Sequence, residues 1–199
     1  SEAEEEDNIA AIGELIEYYK GIFTILSSCA ARQLEEVTFR RTTINVSTLL
    51  EYAQKYFRKN NKEYRDKIEL QTENSSGDLQ VLGDTNQLNF LFENLIDEAL
   101  QYKQEGTLRI QTVPDGQFVR FLFTDTRREK SIEELNQLFY PNLERMTSGE
   151  KGHLQSTEYL VCKQIIRDHD EYAGRRGCRI NAEPAPEGGF IVYFTIPKR

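Results

Sequence analysis

The sequence predicts an α+β fold: a mixed sheet with helices packed on one face, preceded by a long N-terminal helix. Three observations carry this reading. Strand-like segments come in adjacent pairs around the turns Pro114-Asp-Gly116 and Pro184-Ala-Pro-Glu-Gly-Gly189, which excludes a doubly wound βαβ sheet. Two capping-box patterns, Asp84-Thr-Asn-Gln87 and Ser131-Ile-Glu-Glu134, open helices outside those pairs. Apolar residues from Ile9 to Val37 recur in steps of three and four.

The first element is that seam. Ile9, Ile12, Ile16, Tyr19, Phe23, Leu26, Ala30, Gln33 and Val37 repeat over about four heptads, and Leu15, Ile22 and Cys29 widen the stripe on one side. So broad a face needs a partner, either the chain's own domain or a second copy. The run Glu2 to Asp7 ahead of it holds five acidic residues and reads as a solvated, frayed terminus. Arg40 to Val46 reads as a linker. Val46, Leu49, Leu50, Ala53 and Phe57 mark a shorter amphipathic helix, followed by a polar turn from Lys59 to Lys67. The boundary falls there, with 1–45 as acidic tail, long helix and linker, and 46–199 as the domain.

Lys67 to Glu73 alternates as a strand, and Leu79 and Val81 suggest a second short one after the turn at Asn74 to Gly77. From Asp84, residues Leu88, Leu91, Phe92, Leu95, Ile96, Ala99 and Leu100 line one helical face, with Gly106 as a plausible end signal. Thr107 to Val113 and Gln117 to Thr124 form a hairpin. Ser131 opens a helix through Phe139, which Pro141 stops. Asn142 to His153 is a polar loop, and Leu154 to Asp168 is helical. Arg179 to Glu183 and Phe190 to Ile196 are the closing strands.

Composition narrows the function. A net charge of −8 without a basic stripe argues against nucleic acid. Three widely spaced cysteines fit a reduced, cytoplasmic compartment, and with two histidines a Cys/His metal site is not expected. No apolar run approaches the ~18–20 residues of a membrane span. A chain opening at Ser1 reads as a piece of a longer protein, so a membrane enters only through an upstream segment, with this piece its cytoplasmic part.

From Gly83 to Pro197 the order of elements and several motifs resemble the ATP-binding domain of sensor histidine kinases. Asn94-Leu95-Ile96-Asp97-Glu98-Ala99-Leu100-Gln101-Tyr102 is similar to the family's N-box helix, with Asn94, Leu95, Ala99 and Tyr102 fitting. Glu98 stands where that family has its magnesium-coordinating asparagine, and Gln101 replaces a basic residue. Phe121-Leu-Phe-Thr-Asp125 resembles the strand ending in Asp-x-Gly-x-Gly, with Arg127 and Glu129 in place of the glycines. Leu138-Phe139 resembles the next box. Val161 to His169 resembles the helix after the Gly-x-Gly-Leu-Gly motif, but Leu154 to Tyr159 contains no glycine. Ile180 to Pro197 fits the closing hairpin, after an insertion from Glu171 to Gly177.

This resemblance implies a two-layer α/β sandwich, the Bergerat fold of the histidine-kinase ATPases. It implies ATP and magnesium as ligands, with Asn94, Glu98, Gln101, Tyr102, Asp125 and Arg127 as nucleotide-site candidates. Glu98 and Asn94 are the candidates for magnesium, and Asp125 for the adenine amino group. It further implies homodimerisation through the Ile9–Val37 helix, a response regulator as partner, and a phosphoacceptor histidine outside this piece, since neither His153 nor His169 lies in such a setting.

The substitutions fall on chemistry rather than on packing. Glycines in phosphate loops allow positive φ and close approach of backbone N–H groups, and another residue there costs about 1 kcal/mol and fills the phosphate space. Glu98 is a good hard ligand with magnesium. Without it, Glu98 would repel a triphosphate by up to about 4 kcal/mol for charges about 4 Å apart at an effective dielectric of about 20. Arg127 and Arg128 could offset that charge by pairing with phosphate or with Glu98, and Arg127 to Lys130 also reads as a solvated turn. Asp125 also reads as a strand-ending residue, Asn94 as a helix cross-link and Tyr102 as a packing residue. The expectation is a degenerate, pseudokinase-type signalling module acting by dimerisation and partner docking. The alternatives are an active protein-histidine kinase and an ATP-independent dimeric scaffold.

Overall fold

In a computed structural model, residues 2–33, 38–64, 67–140 and 157–199 are described, with backbone alone for 21–22 and 24–33. The polar loop from Asn142 to His153, and the start of the helix expected from Leu154, lie outside them.

Helix α1 spans Glu2–Gln33. The acidic run expected to fray is its first turns, where Glu2, Glu4 and Glu5 sit at the positive end of the helix dipole. The seam reaches Gln33; Val37 lies outside the described residues. The stretch read as a linker holds strand β1 (Thr42–Asn45), which pairs antiparallel with β3 (Gln80–Gly83) as a separate two-stranded sheet. Two such short strands pair because Ile44 and Val81 bury their side chains while their neighbours stay outside.

Helix α2 (Val46–Asn60) buries the five apolar positions expected of it. Strands β2 (Ile68–Asn74), β4 (Gly106–Asp115), β5 (Phe118–Asp125), β6 (Ile180–Pro184) and β7 (Phe190–Pro197) form the main sheet, in the order β2-β4-β5-β7-β6. The β2–β4 pair is parallel and the rest are antiparallel, so the sheet is mixed as expected. Helices α3 (Thr85–Gln101), α4 (Ile132–Gln137) and α5 (Thr157–Tyr172) complete the domain.

The core is aromatic at its centre. Phe121 and Phe194, opposite each other on β5 and β7, stack with centroids 4.9 Å apart, and Phe92 of α3 meets both edge-on. Burial of each such ring contributes on the order of 1.5–3 kcal/mol. This fixes α3 over the middle of the sheet, with Phe92 nearly two turns before Glu98.

Both motifs start helices where expected, but only the one at Ser131 forms the reciprocal box, since the Asp84 N–H donates to His169 Nε2. The Asp84 side chain accepts from Gln87 N, and Ser131 and Glu134 exchange both bonds of the reciprocal motif. Gly106, expected as an end signal for α3, instead opens β4 at φ 143°, where a Cβ would lie 2.6 Å from Cγ of Arg127. The helix ends at Tyr102 for a reason that lies in the site.

Candidate functional site

Strand β5 ends at Asp125, which is 1% exposed. The chain then turns, and the next two residues fold back over it. The Arg127 guanidinium donates from Nε to Oδ1 of Asp125 at 2.9 Å and from Nη2 to Oδ2 at 3.0 Å. The backbone N–H of Arg127 donates to the same Oδ1 at 3.0 Å, and Nε of Arg128 donates to Oδ2 at 2.9 Å. A carboxylate offers about four lone-pair sites. All of them on Asp125 are taken by its own chain.

Arg127 has a second task. Its Nη1 donates to the carbonyls of Tyr102 and Gln104, and its Nη2 to that of Ala99. These carbonyls lie at the end of α3, where a helix leaves its last acceptors without intrahelical donors and carries negative partial charge. A buried guanidinium there ends the helix and offsets its own desolvation. The Arg127 side chain is fully buried in its pair with Asp125. The solvated-turn reading therefore fails for Arg127 and Arg128, because the turn follows a buried carboxylate that draws both cations inward.

Arg128 links the strand to the helix. Its Nη1 and Nη2 each lie 2.7 Å from an oxygen of Glu98, a parallel two-bond pair. Burial works against the charge on Arg128, but the bonds to Glu98 and its negative charge prevail and hold its pKa above the usual arginine value. Tyr159, at the start of α5, donates its hydroxyl to Oε2 of Glu98 at 2.5 Å. Burial and the Glu98 charge push that phenol well up, so it remains a donor.

Of the six nucleotide-site candidates, the structure brings Glu98, Asp125 and Arg127 into one network through Arg128. Tyr102 packs beside it, its ring 5.5 Å and 5.3 Å from the guanidinium carbons of Arg127 and Arg128. Asn94 stands apart, one turn before Glu98, with its amide donating to the carbonyl of Phe90 on its own helix. Gln101 points along α3 to Glu158 of α5 at 2.8 Å. The magnesium candidates therefore do not converge: Glu98 faces Arg128 and Tyr159, while Asn94 is turned back to backbone.

Glu129 also has a partner, the backbone N–H of Gly189 at 2.8 Å. Gly189 has φ 80°, and a Cβ there would lie 2.0 Å from the carbonyl oxygen of Asp125. The closing hairpin thus clamps the turn that carries the two arginines.

Arg128 and Tyr159 stand outside the six candidates yet complete the site. Arg128 takes the pairing with Glu98 that its place after a strand-ending acid offered. The bond from Tyr159 to Glu98 depends on how α5 packs against α3.

A five-stranded mixed sheet, covered by helices and ending a central strand on a buried acid opposite an N-box-like helix, defines the ATP-binding-domain type of sensor histidine kinases. The chain belongs to the family of histidine kinase-, DNA gyrase B- and HSP90-like ATPases, whose model matches residues 83–199. It is 26% identical over 167 residues to the signal transduction histidine-protein kinase BaeS of Escherichia coli (strain K12), covering 81% of this chain and 33% of that protein. The chain thus spans about a third of that relative. The catalytic domain of histidine kinase ThkA superposes with a TM-score of 0.63 at 22% identity, covering 80% of this chain and 97% of that one. ThkA in complex with the response regulator TrrA gives a TM-score of 0.70 at 20% identity over 94% of this chain and 49% of that one. These likenesses establish the fold.

Proposed function

We propose that this chain is a signal-transduction module of the histidine-kinase type that works without its own ATP chemistry, through pairing of α1 and docking of partners. The observation that carries it is the saturation of Asp125. An adenine amino group needs a free acceptor there, and all four acceptor positions hold N–H donors of Arg127 and Arg128. ATP with magnesium, which the family implies, does not fit these residues as they are arranged. Glu98 is held by Arg128 and Tyr159, and Asn94 is bonded to Phe90. Freeing Asp125 would leave the buried Arg127 guanidinium without its counter-charge, at a cost of several kcal/mol, while Arg128 would keep Glu98.

On this reading Glu98, Asp125 and Arg127 hold the domain together through Arg128 with Tyr102 packed beside them, while Gln101 ties α3 to α5 and Asn94 bonds within α3. Residues 1–45 are the pairing arm and 46–199 the docking domain. Ile9, Ile12, Ile16, Tyr19 and Phe23 support pairing, since they are 48–72% exposed along one side of α1. A response regulator is the partner class, and the compartment is cytoplasmic. Among the described residues no helix is long and apolar enough to cross a membrane.

Calorimetric titration of the chain with MgATP tests the reading. No binding is expected at millimolar nucleotide. A micromolar Kd would sink it in favour of an active kinase whose phosphoacceptor lies in another part of the protein.

A further inference from the structure

A cleft of about 750 Å³ lies between α1 and the ends of α3, α4 and α5. That volume falls in the ~300–1,000 Å³ range of small-molecule sites. Its wall is acidic. Glu14 and Glu17 of α1 line it with Glu134 of α4 and Glu158 of α5, and Lys130 is the one basic residue among the described residues that line it. Lys130 is itself drawn over the Phe190 ring, 5.4 Å from its centroid. Part of that acidity is already engaged, since Glu17 pairs with Lys20, Glu134 caps its helix and Glu158 accepts from Gln101. A triphosphate would still enter against the field of these carboxylates.

Two further observations give the cleft a preferred ligand. Tyr18, in its wall, is 2% exposed, and its hydroxyl has no hydrogen-bond partner, a state that buried polar groups seldom keep. Among the described residues, no group of three or more Asp, Glu, His or Cys side chains is placed to hold a metal ion. The acids are spread along the cleft, so they suit several separated positive charges and not one compact ion. We propose that this cleft binds a linear organic polycation of the polyamine class, its ammonium groups bridging Glu14 to Glu158, with one N–H donated to the Tyr18 oxygen. The proposal rests on the reading that no nucleotide occupies this end of the domain.

The geometry of α1 makes the site compatible with pairing. At about 100° per residue, Ala10, Gly13, Glu14, Glu17 and Tyr18 fall on the side of the helix opposite the exposed seam of Ile9, Ile12, Ile16, Tyr19 and Phe23. A second copy on the seam would leave the cleft in place, and a bound polycation would tie α1 to its own domain.

The test is calorimetry of the full chain with spermidine at about 0.15 M salt, with MgATP titrated separately. Saturable spermidine binding is expected, weakened at least about tenfold in the Glu14→Gln/Glu158→Gln double variant and also weakened by Tyr18→Phe. The same charge change at Glu2 and Glu5 should leave it unaltered. Absence of spermidine binding, or equal weakening by the Glu2 and Glu5 changes, overturns the proposal. MgATP binding overturns the reading beneath it, whereas silence from both ligands overturns the polycation site alone.

Discussion

Both terminal nitrogens of Arg128 lie 2.7 Å from the two oxygens of Glu98, joining the turn after β5 to the middle of α3. This pair closes a chain of charges from Asp125 through Arg128 to Glu98, and the neutral Tyr159 hydroxyl donates to its far end. Removal of a charged link should cost more than any single bond, because it leaves a charge without a partner in a dry place.

Arg127→Ala is expected to destabilise the domain by about 3–5 kcal/mol, read as a lowered urea midpoint. It strips Asp125 of two donors, removes the Arg127 donor from the carbonyls of Tyr102 and Gln104, and leaves Ala99 with the Tyr102 N–H alone. A loss below about 1 kcal/mol would mean that Asp125 is not held as described.

Tyr159→Phe removes only the hydroxyl donor to Glu98, and Arg128 remains in place. The expected cost is about 1–2 kcal/mol in the same measurement. An unchanged midpoint would show that the tyrosine contributes packing alone.

Gly189→Ala places a methyl against the Asp125 carbonyl at a positive φ. Thermal unfolding should report a loss of about 2 kcal/mol or more, since neither backbone can withdraw without breaking the β5–β7 ladder.

Stability should also fall with acid through His169. This ring is fully buried, its Nε2 accepts from the backbone N–H of Asp84, and its Nδ1 lies 2.8 Å from the Ile165 carbonyl. Burial pulls its pKa down to about 4 from 6.5. The unfolded chain therefore binds the extra proton first as pH drops. The contribution is fully present above about pH 6.5 and is lost progressively toward pH 4, about 3 kcal/mol in all. His169→Gln should flatten this window in denaturation curves taken from pH 7 to pH 4.

Ile16→Glu places a charge in the middle of the exposed seam of α1. If that seam pairs two copies, sedimentation should report a shift toward monomer with the domain's unfolding midpoint unchanged. A wild-type monomer at all concentrations would remove the pairing arm from the proposal.

The fold was legible because its signals are local. The spacing of Leu88, Leu91, Phe92 and Leu95 declares a helix without knowledge of what it packs on, and Pro114-Asp-Gly116 declares a hairpin. Strand β1 was not legible: Thr42–Asn45 shows one buried residue, and its ladder is with residues some forty positions away. In the site, Asp125 and Glu98 stood out by their places in motifs, as did the arginines that could answer them. The direction of Arg127 did not, because a guanidinium after a turn is drawn inward only when the carbonyls of another element await it. Gly106 was misread for the same reason, as its neighbour in space is Arg127 and not the helix before it.

The small β1–β3 sheet also sets how the domain answers a pull from α1. Thr42 pairs with Gly83 at the end of the ladder where the chain arrives from α1 and departs into α3. Force applied between those helices peels the ladder as a zipper, loading one hydrogen bond at a time. The bond from Arg40 N to Asp84 takes strain at the outset, and Asp84 also starts α3. The far side of β3 is anchored differently, by the bridge from Val81 to Lys198 and the bond from Arg199 N to Gln80. On the proposed reading, tension along α1 would reach the first turn of α3 while Lys198 and Arg199 keep β3 seated, making this sheet the compliant joint between the proposed arm and the domain.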